Sequence, residues 1–400
     1  MASPVTAHEF PMQRKCPFSA PAEFQELRNT EPIAPVRLWD GRSAWLLTRY
    51  EDIRSILRSS AISSQPRRPN FPFLSEADQA AKMQDESLQR MDGPEHSRRR
   101  RLLIPFFTVH RVEALRPTVT KLVRGLLEDL VAKTPPVDFF NEFSLVVPST
   151  VACELLGVPY QDHDFFQEKS AVRISRTATP AETREATLQL LDYLGGLLDA
   201  RTVEPRDDVM TFLAEHVTNG ELTREEALMD ANLLLLGGHE TTANVITLGT
   251  MALLENPDQL ARITSGEVSV TNAIEELLRI TSVTHSNAMR LAVEDIEVGG
   301  HTIPAGDGFI AAVSAANWDE SIFPNPGVLD VGRPEARQHM TFGFGVHQCL
   351  GQALARMELE VVLEAVFDVI PGLRSAQPID ELRFKDDSAF YGVHEFPVTW

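Results

Sequence analysis

The stretch that decides the fold is FGFGVHQCLG, residues 342–351, which is followed by a helical run from about Gln352 to Val369. Its glycines let the backbone approach closely, and Cys349 lies just before a helix start. Unpaired amide groups there lower the pKa of a thiol and donate hydrogen bonds to its sulfur. Zinc would need more ligands than His347 and Cys349, and a GxGxxG loop would need glycine at Gln348. An isolated cysteine is usually inert and buried, but these neighbours predict a reactive thiolate.

Composition narrows the class of protein. The chain has 400 residues, a formal net charge of −20 and three cysteines, with Gly 22 and Pro 26. This composition is typical of a globular protein, and the acidic charge argues against binding to nucleic acid or anionic membranes. Scattered cysteines indicate a reducing compartment. No run approaches the roughly 20 apolar residues that span a bilayer, and no signal peptide is evident, so we expect a cytoplasmic protein.

The pattern along the chain predicts a mainly α fold with small β-sheets. We find no internal repeat or long linker and expect one domain over residues 1–400, with a flexible N-terminal segment over residues 1–16. Asp40-Gly41 lies between two strand-like runs and predicts a hairpin. A second strand region is predicted over residues 291–313, and most of the chain between about 92 and 370 is helical.

One predicted helix is unusually long. Thr223-Arg224-Glu225-Glu226 forms a capping box, and no proline follows until Asn256-Pro257. About 30 residues would extend roughly 45 Å, so this helix must cross the core. Its centre nevertheless has the sequence GGHETT, residues 237–242. Glycines inside a helix and buried polar groups without hydrogen bonds both lower the stability of the fold. The helix either performs chemistry here or is kinked with its polar groups satisfied internally. Ala243 rules out an HExxH zinc site.

The cysteine stretch resembles a known family. Residues 342–351 match the cytochrome P450 heme-binding signature FGxGxHxCxG at every fixed position. The resemblance implies the P450 fold, with heme b between the long oxygen-binding helix and the helix after the cysteine. It also implies that Cys349 is the axial thiolate ligand of the iron, an anionic sulfur that favours O–O cleavage. Phe342 and Gly351 would shape the loop around the cofactor, and His347 would reach a heme propionate.

Further family motifs occur in the expected order. Glu276 and Arg279 match the ExxR helix, with Arg333 as the third member of the network. The resemblance assigns these three residues to structural support of the segment that leads to the cysteine. Residues three apart share a helix face, so such pairs are common in helices and the tetrapeptide alone is a weak signal.

Other matches point to heme anchoring. His96 and Arg100 lie four residues apart on one predicted helix face, and Arg290 precedes the second strand region. In the family, residues at these positions bind the heme propionates, for which arginine is well suited. Without the resemblance, each arginine would be interpreted as a solvated surface charge.

The centre of the long helix matches the family's oxygen-binding pattern. Gly237 and Gly238 would leave room for dioxygen beside the helix. The resemblance implies that Thr241 and Glu240 are catalytic and deliver protons during oxygen activation, a task suited to a hydroxyl backed by a carboxyl group. Thr242 is a weaker candidate for the role of Thr241.

We therefore expect a monooxygenase that uses O2 to hydroxylate or epoxidise an apolar small molecule, such as a natural product, steroid-like compound or drug. The chain shows no flavin or iron–sulfur domain, so electrons would come from a separate ferredoxin and ferredoxin reductase. We expect a monomer. Arg98, Arg99 and Arg101 would form a docking surface, unless they are a locally paired charge run.

Two other functions compete with this one. A heme-thiolate nitric-oxide reductase that uses NAD(P)H resembles the chain near PAEFQELR, residues 21–28, and a non-catalytic heme sensor would share the cofactor site. Neither requires the intact Glu240-Thr241 pair, which favours the monooxygenase. Family analogy assigns substrate contacts to four segments: residues 65–90, residues 170–190, Val283 to Met289, and Phe390 to Val393.

Overall fold

The computed structural model describes residues 8–284 and 288–400, and helices dominate it as the sequence predicted. The helices are α1 (Ala22–Thr30), α2 (Tyr50–Ile56), α3 (Glu76–Met83), α4 (Gly93–Leu103), α5 (Val109–Val131), α6 (Val146–Leu156), α7 (His163–Ile174), α8 (Pro180–Val203), α9 (Val209–Thr218), α10 (Arg224–Leu254), α11 (Pro257–Thr264), α12 (Val270–Thr281), α13 (Val313–Ala316) and α14 (Gln352–Val369). The strands are β1 (His8–Glu9), β2 (Ile33–Arg37), β3 (Ser43–Leu47), β4 (Ile62–Ser63), β5 (Val137–Asp138), β6 (Ala288–Ala292), β7 (Ile296–Val298), β8 (His301–Ile303), β9 (Gly308–Ala311), β10 (Arg374–Ser375) and β11 (Pro397–Thr399).

Helix α10 is the predicted long helix. It has 31 residues, and both hydrogen bonds of the capping box between Thr223 and Glu226 are present. It ends just before Pro257, whose ring prevents the helix from continuing. It packs against α6, α8, α12 and α14, so its centre lies in the core. Within the described part of the chain, no helix is both long enough and apolar enough to cross a bilayer.

The largest sheet has six strands in the order β1-β2-β3-β9-β6-β4. The predicted hairpin is confirmed, because β2 and β3 pair antiparallel with Val36 opposite Ala44. Gly41 in its turn has φ +82°, a conformation that favours glycine. The predicted second strand region forms β6 to β9, and β6 and β9 are adjacent in the sheet. Separate apolar clusters include residues from this sheet, and β6 carries Arg290 between them.

The cysteine loop, defined as residues 342–351, leads directly into α14. Helix α14 packs against α5, α10 and α12 within the main apolar cluster, where Met357 and Val362 are buried. The helix begins at Gln352, as predicted, and its deep burial provides a rigid base for the loop. A three-stranded sheet has the order β10-β11-β5, so it joins the last two strands of the chain to β5.

Residues 8–16 belong to the N-terminal segment that the sequence predicts to be flexible, and in the structure they contact the rest of the chain. Strand β1 pairs with β2, and Phe10 and Met12 are buried. Arg14 donates hydrogen bonds to the carbonyl oxygens at the end of α12. Apolar burial and these long-range bonds hold the segment, whereas residues 1–7 of the predicted segment lie outside the described residues.

Candidate active site

The cysteine loop is closed by its own backbone. Cys349 N–H donates a hydrogen bond to Phe342 O at 2.8 Å, so the two ends of the loop meet. Gly345 has φ +75°, and a Cβ atom there would lie 2.2 Å from the carbonyl oxygen of Leu57. Any side chain at this position would push the loop away from the end of α2. The glycine is therefore required by a close backbone approach, as the sequence indicated.

The Cys349 thiol lies in a recess. Its side chain is accessible, yet protein atoms surround it densely enough to desolvate it. That desolvation raises the pKa of the thiol, and it outweighs a hydrogen bond from Gly351 N–H and the positive charges of Arg100 and Arg356. The sequence predicted that the surrounding protein groups lower the pKa of the Cys349 thiol, and that direction was therefore wrong. The helix-terminal amide contributes in the predicted direction, but it is the smaller effect.

Four basic side chains nominated by the sequence come together beside this loop. The ring centroids of His96 on α4 and His347 in the loop are 4.2 Å apart. One turn further along α4, Arg100 donates from Nη2 to Gln348 O at 2.6 Å. Arg290 on β6 is close enough for its charge to lower the pKa of both histidines. Three separate elements thus present their basic groups to one place.

This basic group is short of acceptors. His96 Nε2 and Arg290 Nε are buried and have no hydrogen-bond partner among the described residues. Burial, helped by Arg290, lowers the pKa of His347 to about 2. Burial and the neighbouring Arg90 likewise lower the pKa of Arg290 to about 10, against the single opposing charge of Asp92. Buried donors and concentrated positive charge are what a bound group with several anionic oxygens would satisfy.

Arg90 is a member of this basic group that the sequence did not reveal. It follows α3 in a short turn, and its Nε donates to Asp85 Oδ2 at 3.2 Å. Its charge contributes to the lowered pKa of both Arg290 and His347. No local pattern marks a single arginine in a turn, so only the fold identifies it.

The centre of α10 faces open space at Gly237. Gly237 is exposed although Leu235 and His239 on either side of it are buried, and a Cβ atom at Gly237 would meet nothing within 4 Å. Thr241 is half-buried one turn later, and its Oγ1 donates to Gly237 O at 3.0 Å. The predicted space beside the two glycines is present at Gly237, whereas a Cβ atom at Gly238 would be 3.5 Å from that of Ala152.

Glu240 points to a different partner from Thr241. Its Oε1 accepts a hydrogen bond from Lys385 Nζ at 2.6 Å and another from Asn244 Nδ2 at 3.2 Å. Both side chains of the ion pair are about nine-tenths buried. Although burial raises the pKa of Glu240, Lys385 and the other polar neighbours oppose it, and the net shift is downward. Lys385 is 145 positions away in the chain, so no sequence motif identified it.

Comparison with known proteins identifies the family. The cytochrome P450 family model matches residues 268–370. Cytochrome P450-SU2 of Streptomyces griseolus is 44% identical over 385 residues, which is 96% of this chain and 94% of that protein. The chain belongs to the cytochrome P450 family. Pentalenic acid synthase of Streptomyces avermitilis is also 44% identical, over 98% of this chain and 97% of that P450.

A solved structure agrees with this membership. The structure of MycCI, the mycinamicin VIII C21 methyl hydroxylase of Micromonospora griseorubida, has a TM-score of 0.92 to this P450 and 40% sequence identity. It covers 98% of this chain and 100% of that one. The P450 fold predicted from the cysteine stretch is confirmed, and the protein is an oxidoreductase of the P450 monooxygenase type with a heme-iron cofactor.

The residues present fit a heme. The family implies one thiolate and several donors for two propionates, and the recessed Cys349 lies in the same loop as His347. The orphaned Nε2 of His96 and Nε of Arg290 are unexplained without an anionic partner and would be satisfied by carboxylates. A metal that binds a thiol deprotonates it, so the raised pKa of the free Cys349 thiol is compatible with ligation.

The ExxR network of this P450 is confirmed as a buried charge cluster. Arg279 donates to both carboxylate oxygens of Glu276 at 2.7 and 2.8 Å, and Arg333 Nε lies 3.1 Å from each. Arg279 Nη1 also donates to the carbonyl oxygens of Asn317 and Pro326. The three side chains are almost completely inaccessible, so the network ties α12 to the segment that precedes the cysteine loop.

The predicted arginine docking surface is corrected by the structure. Arg99 is fully buried and pairs with Asp230 on α10 at 2.5 Å. Arg98 is partly exposed, but its Nη2 lies 2.7 Å from Glu226. Only Arg101 of the three is exposed without a carboxylate partner among the described residues. Consecutive residues of a helix point about 100° apart, so Arg99 is turned toward the core while Arg98 and Arg101, three residues apart, face outward.

The segments assigned to substrate contact approach one another. Residues 383–394 form a turn back on themselves through the antiparallel bridge between Phe384 and Val393, and we call them the C-terminal hairpin. Ala389 N–H donates to Ile174 O at 2.9 Å, which joins this hairpin to the end of α7. Tyr391 N–H donates to Val283 O at 2.8 Å, which joins the same hairpin to the segment just after α12. Residues 285–287 of the third predicted segment lie outside the described residues.

Proposed function

We propose that this P450 inserts one oxygen atom from O2 into a largely apolar small molecule by hydroxylation or epoxidation. The observation that carries the proposal is the meeting of a recessed cysteine thiol with orphaned donors on His96 and Arg290. Relatives support the substrate class, because a mycinamicin hydroxylase and a pentalenic acid synthase are among them. We infer a natural product, a steroid-like molecule or a drug as substrate, in secondary metabolism.

We infer that the cofactor is heme b. Cys349 would be its axial ligand, held by Gly351 N–H, while Phe342 closes the loop through its carbonyl oxygen. His96, Arg100, Arg290 and His347 would hold the propionates; these residues are the basic group described above. When bound, the heme supplies the redox chemistry that activates dioxygen.

Proton delivery is the task that we assign to Glu240 and Thr241. Thr241 Oγ1 lies one turn from the open space at Gly237 and donates to Gly237 O, so the hydroxyl must leave that bond to donate to another group. Glu240 takes a proton from solvent and passes it toward the Thr241 hydroxyl, directly or through water. In the present arrangement Lys385 holds the carboxylate of Glu240 ionised, so proton transfer requires that this ion pair loosen.

Electrons would reach this P450 from a separate redox protein, and we propose a ferredoxin with its reductase. The outer side of the cysteine loop fits a small acidic partner. Arg54 and Arg58 stack on the Phe344 ring at 5.4 and 4.6 Å, and Val346 beside them is 65% exposed. Positive charge at this surface would guide an acidic ferredoxin to it. We propose that this P450, which accepts the electrons, is a cytoplasmic monomer.

Two measurements test the proposed function. Protein expressed with a heme precursor should show the carbon-monoxide absorbance of a thiolate-bound heme, and Cys349→Ser should lose it while keeping its helical circular dichroism. With ferredoxin, reductase and NADPH under ¹⁸O2, a product should then gain one labelled oxygen atom. Protein that takes up no heme, or a carbon-monoxide spectrum unchanged by Cys349→Ser, would overturn the proposal.

A further inference from the structure

A second group of buried cations adjoins the basic group beside the cysteine loop and shares Arg90 with it. We call it the Arg173 cluster: Lys82 and Asp78 on α3, Asp85 and Arg90 after that helix, and Arg173 in the last turn of α7. Lys82 Nζ lies 2.8 Å from Asp78 Oδ2, and Arg90 Nε lies 3.2 Å from Asp85 Oδ2. Arg173 reaches the same Asp85 oxygen only at 3.8 Å. Three cationic side chains therefore share two carboxylates.

Arg173 is the member whose bonding is incomplete. Its side chain is 7% exposed, and its Nε and Nη1 atoms have no hydrogen-bond partner among the described residues. Burying a guanidinium with unused donors is unfavourable unless another group bonds to it. Desolvation accordingly lowers the pKa of Arg173, and the charge of Asp85 only partly opposes this shift.

Buried arginines with a structural role look different in the same molecule. Arg99 donates from Nε to Asp230, from Nη1 to Glu86 O and from Nη2 to Glu226 O, all within 2.9 Å. Arg279, the buried arginine of the ExxR network, also bonds through all three of its nitrogen atoms. Arg173 resembles neither, because two of its three nitrogen atoms are left for a partner outside the protein.

The position of the cluster suggests what that partner is. Lys82 Nζ lies 3.3 Å from Met289 Sδ on β6, next to the propionate-binding candidate Arg290. Arg173 ends the helix whose C-terminal Ile174 is bonded to the C-terminal hairpin. The cluster thus lies where three of the four segments assigned to substrate contact converge.

We propose that the Arg173 cluster binds an anionic group of the substrate, a carboxylate on an otherwise apolar molecule. This inference rests on the proposed function and narrows its substrate class. The carboxylate accepts hydrogen bonds from Arg173 Nε and Nη1. Its negative charge also balances the one positive charge by which the three cations of the cluster exceed its two carboxylates. The apolar remainder of the molecule is thereby oriented for oxidation by a fixed charged end.

The test compares paired ligands on the heme-loaded protein. A series of alkanoic and arylalkanoic acids and their methyl esters is titrated by isothermal calorimetry, with the heme absorbance recorded in parallel. At least one acid should bind about tenfold or more tightly than its ester, the effect expected of a charge-assisted hydrogen bond. Arg173→Met should abolish this preference, and Arg173→Lys should restore part of it.

Two further variants separate charge recognition from a loss of structure. Asp85→Asn keeps an oxygen that can accept the hydrogen bond from Ser87 N–H but removes the competing charge, so it should tighten acid binding and leave ester binding unchanged. Arg206→Met removes an exposed arginine from the loop after α8 and is the control. No structural defect would tighten the binding of acids alone.

The outcomes distinguish this proposal from the proposed function. If no acid binds more tightly than its ester, or if the preference survives Arg173→Met, the anion site is rejected. Oxygen insertion into neutral compounds would then still support the monooxygenase. Conversely, acid preference without any ¹⁸O incorporation would support the site and reject the proposed reaction.

Discussion

Lys385 Nζ lies 2.6 Å from Glu240 Oε1, which joins the C-terminal hairpin to the centre of the longest helix. The contact is tight because Gly392, on the opposite side of that hairpin, has no side chain. A Cβ atom at Gly392 would lie 1.8 Å from Asn244 Oδ1. The carboxylate that we assign to proton delivery is therefore controlled by a loop that also contacts the end of α7.

Replacing Lys385 with methionine should change the pH dependence of coupled turnover. Lys385 lowers the pKa of Glu240, so its removal should raise that pKa. The limb of the pH profile governed by Glu240 should then move to higher pH, measured as product formed per NADPH. Lys385→Arg keeps the positive charge and should retain the wild-type profile. Identical profiles for wild type and Lys385→Met would contradict the proposed link.

Thr241→Ala should uncouple electron use from product formation. The Thr241 hydroxyl is the group to which we assign proton delivery, and without it reducing equivalents should go to peroxide or water while ligand binding remains largely intact. Peroxide, NADPH and product are measured together. Thr242→Ala, which makes the same deletion one residue later, should leave the ratio unchanged. Full coupling in Thr241→Ala would count against the assignment.

Glu276→Gln should destabilise the protein strongly. The change leaves Arg279 and Arg333 buried without their shared counter-charge, and breaking a buried charge cluster costs about 3–5 kcal/mol. The free energy of unfolding is measured in denaturant by circular dichroism. Glu113→Gln is the matched control, because it breaks an exposed i,i+3 pair with Arg116 and should cost less than about 1 kcal/mol. Equal losses for the two variants would refute a bracing role for the network.

Gly345→Ala should impair heme retention more than Gly343→Ala. Both glycines have positive φ, so alanine at either site incurs about 1–2 kcal/mol of backbone strain. Only at Gly345 would the added Cβ atom also collide with the Leu57 carbonyl, since nothing lies within 4 Å of a Cβ atom at Gly343. Heme occupancy is measured from the heme-to-protein absorbance ratio. Equal occupancy in the two variants would show that the contact with Leu57 is unimportant.

Local patterns in the chain were sufficient for much of the fold. The capping box at Thr223 and Pro257 set the limits of α10, and Asp40-Gly41 set the hairpin. These features depend on hydrogen bonds and backbone conformations within a few residues, so their signals are contiguous. The contacts of residues 8–16 could not be predicted from local patterns, because this polar-looking segment contacts distant partners, such as the end of α12.

The motifs that carry the family resemblance nominated Cys349 and Glu240 as site residues, because their neighbours along the chain match the family's patterns. What the sequence did not determine was the set of distant charges around them. The pairing of Glu240 with Lys385, the burial of Arg99 and the raised pKa of the Cys349 thiol emerged only from the tertiary structure. Electrostatic energies depend on distance in space and on desolvation, and chain separation encodes neither.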